Sequence, residues 1–175
     1  MKITNDDFWE IIKYNYDQIQ FAEIKSSVVV SVYSVLFTVA YTIDILDDEN
    51  IYSFNFSSLY DYITLLPVLP IAYFTIHSFV CCIRCFLPRI EHSSFKSPLF
   101  FGDIALNYKD FNQYKFVLRE LIKNPEEYQE HLSHMVYVTG NIAFTKFKFV
   151  NQAIKSLIKS IAFFILFIGL IYVTK

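Results

Sequence analysis

The chain has 175 residues, 54% of them apolar and 19% aromatic, with only 18% charged and a formal net charge of −2. Its mean hydropathy is +0.36, more apolar surface than the interior of a soluble domain of this length can absorb, which excludes an ordinary soluble domain and points to the bilayer as solvent. The net charge itself says little, because the signs separate along the chain instead of mixing.

In chain order, residues 1–25 are mostly polar and carry Asp6, Asp7, Glu10 and Asp17. They do not read as a secretory signal, and the segment is expected to stay attached. Phe8, Ile11, Ile12, Ile19 and Ile24 give residues 5–24 an approximate helical stripe, predicting a cytoplasmic amphipathic helix near the membrane surface. The first apolar stretch, 26–43, and the second, 63–87, are each close to the roughly 20 residues that cross a hydrocarbon core about 30 Å thick. The third, 156–173, is shorter, and Lys159 at its start would snorkel to the interface. No Lys or Arg falls between Lys25 and Arg84, whereas the loop at 44–62 holds Asp44, Asp47, Asp48, Glu49 and Asp61. Basic residues mark cytoplasmic flanks. The N-terminus and the segment 88–155 are therefore placed inside, the acidic loop and the C-terminus outside.

Within 88–155, turn signals lie between Pro88 and Pro98, followed by an apolar element of undecided type, Leu99 to Ala105. A short helix is predicted from Asp110 to Lys123, with Phe111, Tyr114, Val117, Leu118 and Leu121 on one side. Asn124, Pro125 and Glu127 form a helix start with Asn as cap. From there the pattern runs as helix into the third span, with Gly140 its weakest point, and about 50 residues would make a rod of about 75 Å. The fold class is thus all-α: a helical integral membrane protein with three transmembrane helices and a cytoplasmic helical sensor segment between spans two and three.

Ser27, Ser31, Ser34 and Thr38 recur at helical spacing on span one, with Thr42 a turn further. Such a face serves close helix packing or lines a passage. Span two holds Pro67 and Pro70, whose lost backbone bonds neighbours would satisfy, and the polar groups Thr75, His77, Ser78 and Arg84. His77 and Arg84 share a face, so Arg84 reads either as a ring at a cytoplasmic mouth that favours anions or as a topological anchor. His77, Cys81 and Cys85 also share a face, but three turns spread them over about 12 Å, too far for one zinc at about 2.0–2.3 Å from each ligand. The three cysteines, Cys81, Cys82 and Cys85, read as reduced thiols. His131 and His134 lie beside Glu127 and Glu130 on a helix face read as solvated. With three glycines, and no G-x-S-x-G, H-E-x-x-H or phosphate loop, the chain is read as non-enzymatic, without metal or cofactor. In the central segment Lys96, Lys109, Lys115, Arg119 and Lys123 mingle with Tyr108, Phe111 and Tyr114. That mixture suits phosphates and a stacked base or anionic lipid headgroups.

Three signatures then resemble the transmembrane effectors of Pycsar and related cyclic-nucleotide antiphage systems. Phe21-Ala22-Glu23-Ile24-Lys25-Ser26 is similar to the family's aromatic-Ala-Asp-x-Lys-Ala lead-in to span one, with Glu23 for Asp and Ser26 for Ala. Pro88-Arg89 and Phe100-Phe101-Gly102-Asp103-Ile104-Ala105 resemble its Pro-Arg and Phe-Phe-Gly-Asp-Ile-Ala element. Ala143, Lys146, Phe147, Val150 and Ala153 resemble its Ala-x-x-Lys-Tyr helix before span three, with Phe147 for Tyr. The resemblance implies an effector in the bacterial inner membrane that answers a cyclic nucleotide made by a partner cyclase on phage infection and impairs that membrane. The nucleotide-binding candidates are Lys25, Asp103, Lys109, Lys115, Arg119, Lys146 and Lys148, with Asp103 suited to a ribose or base donor. The pore-lining candidates are Ser27, Ser31, Ser34, Thr38, His77 and Arg84. The expected partners are the lipid bilayer, a cyclic nucleotide and further copies of the chain, four as a working number, with no nucleic-acid polymer. The competing reading is a non-conducting membrane scaffold that recruits a partner through its cytoplasmic helices.

Overall fold

The computed structural model describes residues 4–46, 59–87 and 95–174. Most of the acidic loop and the Pro88-Arg89 signature lie outside them. Six helices account for nearly all the described residues, with no strand among them: α1 (Asn5–Leu46), α2 (Leu59–Leu65), α3 (Val68–Phe86), α4 (Phe101–Asn107), α5 (Phe111–Lys123) and α6 (Pro125–Thr174). Three stretches are long and apolar enough to cross a membrane, one in α1, one from Tyr62 to Phe86 and one in α6. The all-α membrane architecture is as expected.

The expected N-terminal helix and first span are portions of one 42-residue helix. No Gly or Pro occurs between Asn5 and Leu46 to interrupt it. The second stretch is divided instead. Pro67 stands between α2 and α3, and Pro70 occupies the first turn of α3. A missing N–H costs nothing there, because first-turn amides lack intrahelical partners anyway. Neighbours are therefore not needed to repair the helix at these two prolines. α6 is a single 50-residue helix through Gly140. Asn124 starts it as expected: its Oδ1 accepts the Glu127 N–H at 3.4 Å, and its Nδ2 donates to the Glu127 carboxylate at 3.3 Å.

The chain divides into two compact units, one of Met1–Phe21 with Leu87–Thr145, the other of Ala22–Phe86 with Lys146–Lys175. The first unit is built on Ile12, Phe100, Leu132, Met135, Val138 and Ile142, with Phe8, Ile19 and Leu99 packed against them. Phe8, Ile12 and Ile19 are spaced at i−4 and i+7 and so share one helix face. Ile11 and Ile24, also expected on that stripe, are 47% and 60% exposed. They sit about 100° and 120° around the helix from Ile12, which the loose sequence stripe did not separate. Asn15 fixes the pairing of α1 with α6 here, donating to the Val136 carbonyl at 3.1 Å and to the Thr139 hydroxyl at 3.0 Å.

The undecided element Leu99–Ala105 is a tight turn leading into α4. Ser97 organises it: its N–H donates to the Asp103 carboxylate at 2.8 Å, its hydroxyl accepts the Leu99 N–H at 3.3 Å, and its carbonyl accepts the Phe100 N–H at 3.1 Å. Asp110 caps α5 through the Gln113 N–H at 2.9 Å. Leu121 is buried, Tyr114, Val117 and Leu118 are half-buried, and Phe111 is 71% exposed, so the expected apolar side of α5 excludes its first residue.

The second unit packs small residues of α1, α3 and α6 together. Val29, Tyr33, Cys81, Cys82, Ala153 and Leu157 form one cluster, and Ala22, Cys85 and Val150 another. Lipid offers no hydrophobic reward for joining helices, so close approach through Ala, Cys and Ser supplies the contact energy instead.

A Cβ placed on Gly140 would meet Asn15 Nδ2 at 3.6 Å, an ordinary contact. Gly140→Ala should therefore fit and raise stability by about 0.5–1 kcal/mol through helix propensity alone. A higher thermal midpoint in detergent is the expected reading.

Candidate functional site

Among the described residues of the second unit, the ammonium of Lys146 is the most buried charge, with its residue 4% exposed. It donates to the Glu23 carboxylate at 2.5 Å and to the Cys85 carbonyl at 2.6 Å, so one side chain ties α1, α3 and α6 together. The partner carboxylate is 38% exposed. Around this pair Lys25 lies 5.3 Å over the Phe147 ring and Arg84 5.8 Å over the Phe149 ring. Residues of the first and third signatures thus meet at one place: Glu23 with Lys146, Ala22 with Val150, Lys25 with Phe147. Of these, Lys25 and Lys146 were expected in a nucleotide site; Lys146 is instead engaged inside the unit by Glu23 and the Cys85 carbonyl.

Above this pair α3 and α6 share a line of polar contacts. Cys81 Sγ lies 3.9 Å from Gln152 Oε1 and 3.9 Å from His77 Nδ1. His77 Nδ1 is 2.9 Å from the Ser156 hydroxyl, Ser78 donates to the Ala153 carbonyl at 2.9 Å, and Thr75 and Ser160 share a hydrogen bond at 2.8 Å. Ser156, Ser160 and Gln152 were not among the expected site residues. The i, i+4 spacing of Ser156 and Ser160 was the signal available, the same spacing that drew attention to span one.

The hydroxyls of span one behave differently. Ser27, Ser31, Ser34, Thr38 and Thr42 are exposed, and each donates to the carbonyl four residues earlier at 2.8–3.1 Å. They form one uncovered, internally satisfied face. Arg84 is exposed as well.

In the first unit two cavities adjoin Tyr108. One, of about 290 Å³, is lined by Ile104, Tyr108, Lys109, Asp110, Phe111 and Tyr114. The other, of about 320 Å³, is lined by Lys96, Tyr108, Phe116, Glu120, Glu127 and His131, among others. The Tyr108 and Tyr114 rings meet edge to face at 5.4 Å. Burial, then the Asp103 charge and Tyr114, push the Tyr108 hydroxyl above its usual range, so it remains a donor. Of the expected mixture of basic and aromatic groups, Lys96, Lys109, Tyr108, Phe111 and Tyr114 line these cavities. Lys115, Arg119 and Lys148 are exposed outside the two cavities, Lys115 lying 5.9 Å over Phe111. Asp103 accepts the Ser97 N–H and so holds the α4 turn.

His131 is not on a solvated face as expected. It is 8% exposed, covered by the Phe95 ring at 4.7 Å, with Nδ1 3.0 Å from the Ser97 hydroxyl. Burial lowers its pKa, opposed by the charges of Glu127 and Glu130 and joined by that of His134. No cluster of three or more His, Cys, Asp or Glu suited to a metal occurs among the described residues.

Two predictions follow from this chemistry. Removing Glu23 leaves a buried ammonium short of its counter-charge, so Glu23→Ala should cost about 3 kcal/mol. Lys146→Met, which fills similar volume and leaves a carboxylate that can reach water, should cost less, and thermal denaturation of both variants in detergent reads the asymmetry. For His131 the folded pKa is depressed, so the unfolded chain binds more protons as pH falls through the ordinary imidazole range, about pH 6.5. Stability should be full above that range and decline below it, with His131→Gln flattening the dependence.

A family model described as the Pycsar effector protein domain, PycTM, matches residues 7–173, nearly the whole chain. No curated protein and no solved structure matches it. The chain belongs to the Pycsar effector family.

Proposed function

We propose that this Pycsar effector is a membrane protein of bacterial antiphage defence, switched on by a cyclic nucleotide or cyclic oligonucleotide that a partner cyclase makes. The family match over residues 7–173, joined to three apolar helices, carries the reading. The distribution of Lys and Arg supports an inner-membrane orientation with the N-terminus and residues 88–155 in the cytoplasm and the C-terminus outside. The chain acts by self-assembly and altered membrane permeability rather than by catalysis.

The sensor is the Tyr108 region of the first unit. Its cavities hold aromatic rings beside Lys109, and the exposed Lys115 and Arg119 lie on the neighbouring turns of α5. Phosphate bridged by such bases of two copies would bind the assembled state more tightly than the separate one, the condition for a ligand to shift an equilibrium. Lys148 is a further exposed base, while Lys25, Asp103 and Lys146 serve chiefly to hold their own units. The hydroxyl face of α1, uncovered within the subunit, is the surface on which copies meet; Ser27, Ser31, Ser34 and Thr38 line the resulting ion path, with Arg84 at its cytoplasmic mouth.

Purified protein in liposomes should release ions when one member of a panel of cyclic mononucleotides and dinucleotides is added. Lys115→Glu and Arg119→Glu should each weaken nucleotide binding roughly tenfold or more, since each replaces a charge-assisted bond with a repulsion. Binding without any flux would instead support the scaffold reading.

A further inference from the structure

Two lysines of α6 belong neither to the sensor nor to the hydroxyl face of α1. Lys155 and Lys159 follow Lys148 at i+7 and i+11, so the three share one stripe of the helix, and all are exposed. Counting the roughly 20 residues of a span back from the end of α6 at Thr174 reaches Lys155. The two lysines therefore stand where hydrocarbon gives way to headgroups. Helical side chains lean towards the N-terminus of their helix, which on the proposed orientation directs both ammonium groups to the cytoplasmic leaflet. Val150, Ala153 and Leu157, which cluster with residues of α1, lie roughly opposite this stripe on α6. The stripe thus faces away from α1.

The seam between α3 and α6 runs beside these lysines. The Lys159 ammonium lies 5.1 Å over the Phe74 ring, and Phe74 stacks on Phe163 at 5.9 Å, so an aromatic pair holds the lysine stem against α3. About one turn along α3, His77 is half-buried, with the Tyr73 ring stacked on its own at 6.2 Å. Its contacts with the Ser156 hydroxyl at 2.9 Å and with Cys81 Sγ at 3.9 Å both fall on Nδ1. Nε2 has no hydrogen-bond partner among the described residues. When the Ser156 hydroxyl donates to Nδ1, the ring proton sits on Nε2 and makes it a donor. Counter-charge is missing as well. Among the acidic residues of the second unit, Asp44 and Asp61 adjoin the acidic loop at the other end of the spans, and Glu23 is held by Lys146. Like charges at i, i+4 repel on a helix surface, so an anion between Lys155 and Lys159 relieves them.

We propose that the α3–α6 seam at Lys155, Lys159 and His77 binds one anionic phospholipid of the cytoplasmic leaflet. Its phosphate lies between the two ammonium groups and accepts the Nε2–H of His77, a charge-assisted set of donors. Its acyl chains follow Ile158, Ala162 and Leu166, exposed apolar residues that continue along the same side of α6. A zwitterionic lipid brings an ammonium of its own towards the lysines and binds less well. Any basic residue near the surface attracts anionic lipid. The Nε2 donor adds a contact that only a lipid seated at the seam can make.

The test needs neither nucleotide nor assembly, so its outcome is separate from that of the activation reading. Trp9→Phe removes the one tryptophan of the chain, and Ala162→Trp places a reporter beside the site. This full chain is reconstituted in phosphatidylcholine vesicles, and phosphatidylglycerol or phosphatidylcholine with brominated chains, which quench indole fluorescence on contact, is titrated in. Phosphatidylglycerol should be preferred at the reporter by roughly fivefold or more. Lys155→Gln with Lys159→Gln should bring the ratio close to unity. His77→Leu, which removes the donor and no lysine charge, should lower the ratio roughly twofold or more, and His77→Gln, which keeps an N–H donor, should restore it. Circular dichroism and equal quenching by brominated phosphatidylcholine check that every variant stays helical and lipid-facing. A ratio near unity before any lysine is changed overturns the proposal. So does a preference that survives the loss of both lysines, or one that falls with the lysines and ignores His77→Leu, since the attraction is then the diffuse charge of the surface.

Discussion

A charge taken out of water must find its counter-charge within the fold, and in this protein that requirement falls on Lys146. Its ammonium satisfies itself with one carboxylate and one backbone carbonyl, drawn from two other helices. The Cys85 carbonyl is available because it lies near the C-terminal end of α3, where the last carbonyls lack intrahelical donors. A buried ion pair is weak evidence for net stability, but it specifies register. Shifting α6 by one residue would turn the ammonium about 100° around the helix, away from the Glu23 carboxylate. The small residues that pack around it, Ala22, Cys85 and Val150, then follow from the approach distance that the pair demands.

The same rule of satisfied polarity separates two serine-bearing faces that look alike in sequence. On α1 the hydroxyls turn back to their own helix, and the face stays open. On α6 Ser156 and Ser160 turn outward to His77 and Thr75, and the face is closed. Which of the two occurs depends on whether another helix brings a polar partner into reach.

Much of the fold was legible from the chain itself. The helical pattern running on from Asn124 gave the length of α6, hydropathy located the three apolar stretches, and Asn124 with Glu127 announced the start of α6, whereas the fusion of the N-terminal helix with the first span into α1 was not read. Pairings between distant residues were not. Glu23 and Lys146 are 123 positions apart, and nothing local to either says that they meet. His131 read as solvated because its helix neighbours are acidic, yet Phe95 and Ser97, which cover it, come from a separate turn 34 or more residues away. Of the candidate site, the gathering of bases and rings near Tyr108 was visible in composition, whereas the division of lysines into surface and interior depended on tertiary packing.

The back-bonded hydroxyls of α1 have a thermodynamic corollary. A serine that already donates to its own backbone loses that bond when it donates to a neighbouring subunit, so the exchange is close to neutral in energy, and measured hydrogen bonds between membrane helices average only about 0.6 kcal/mol. A face of this kind is at ease in lipid and equally at ease against a copy of itself. Under the self-assembly proposed for this face, the set-point between solitary and associated chains would lie near balance, where a difference of about 1.4 kcal/mol in ligand affinity moves the population tenfold.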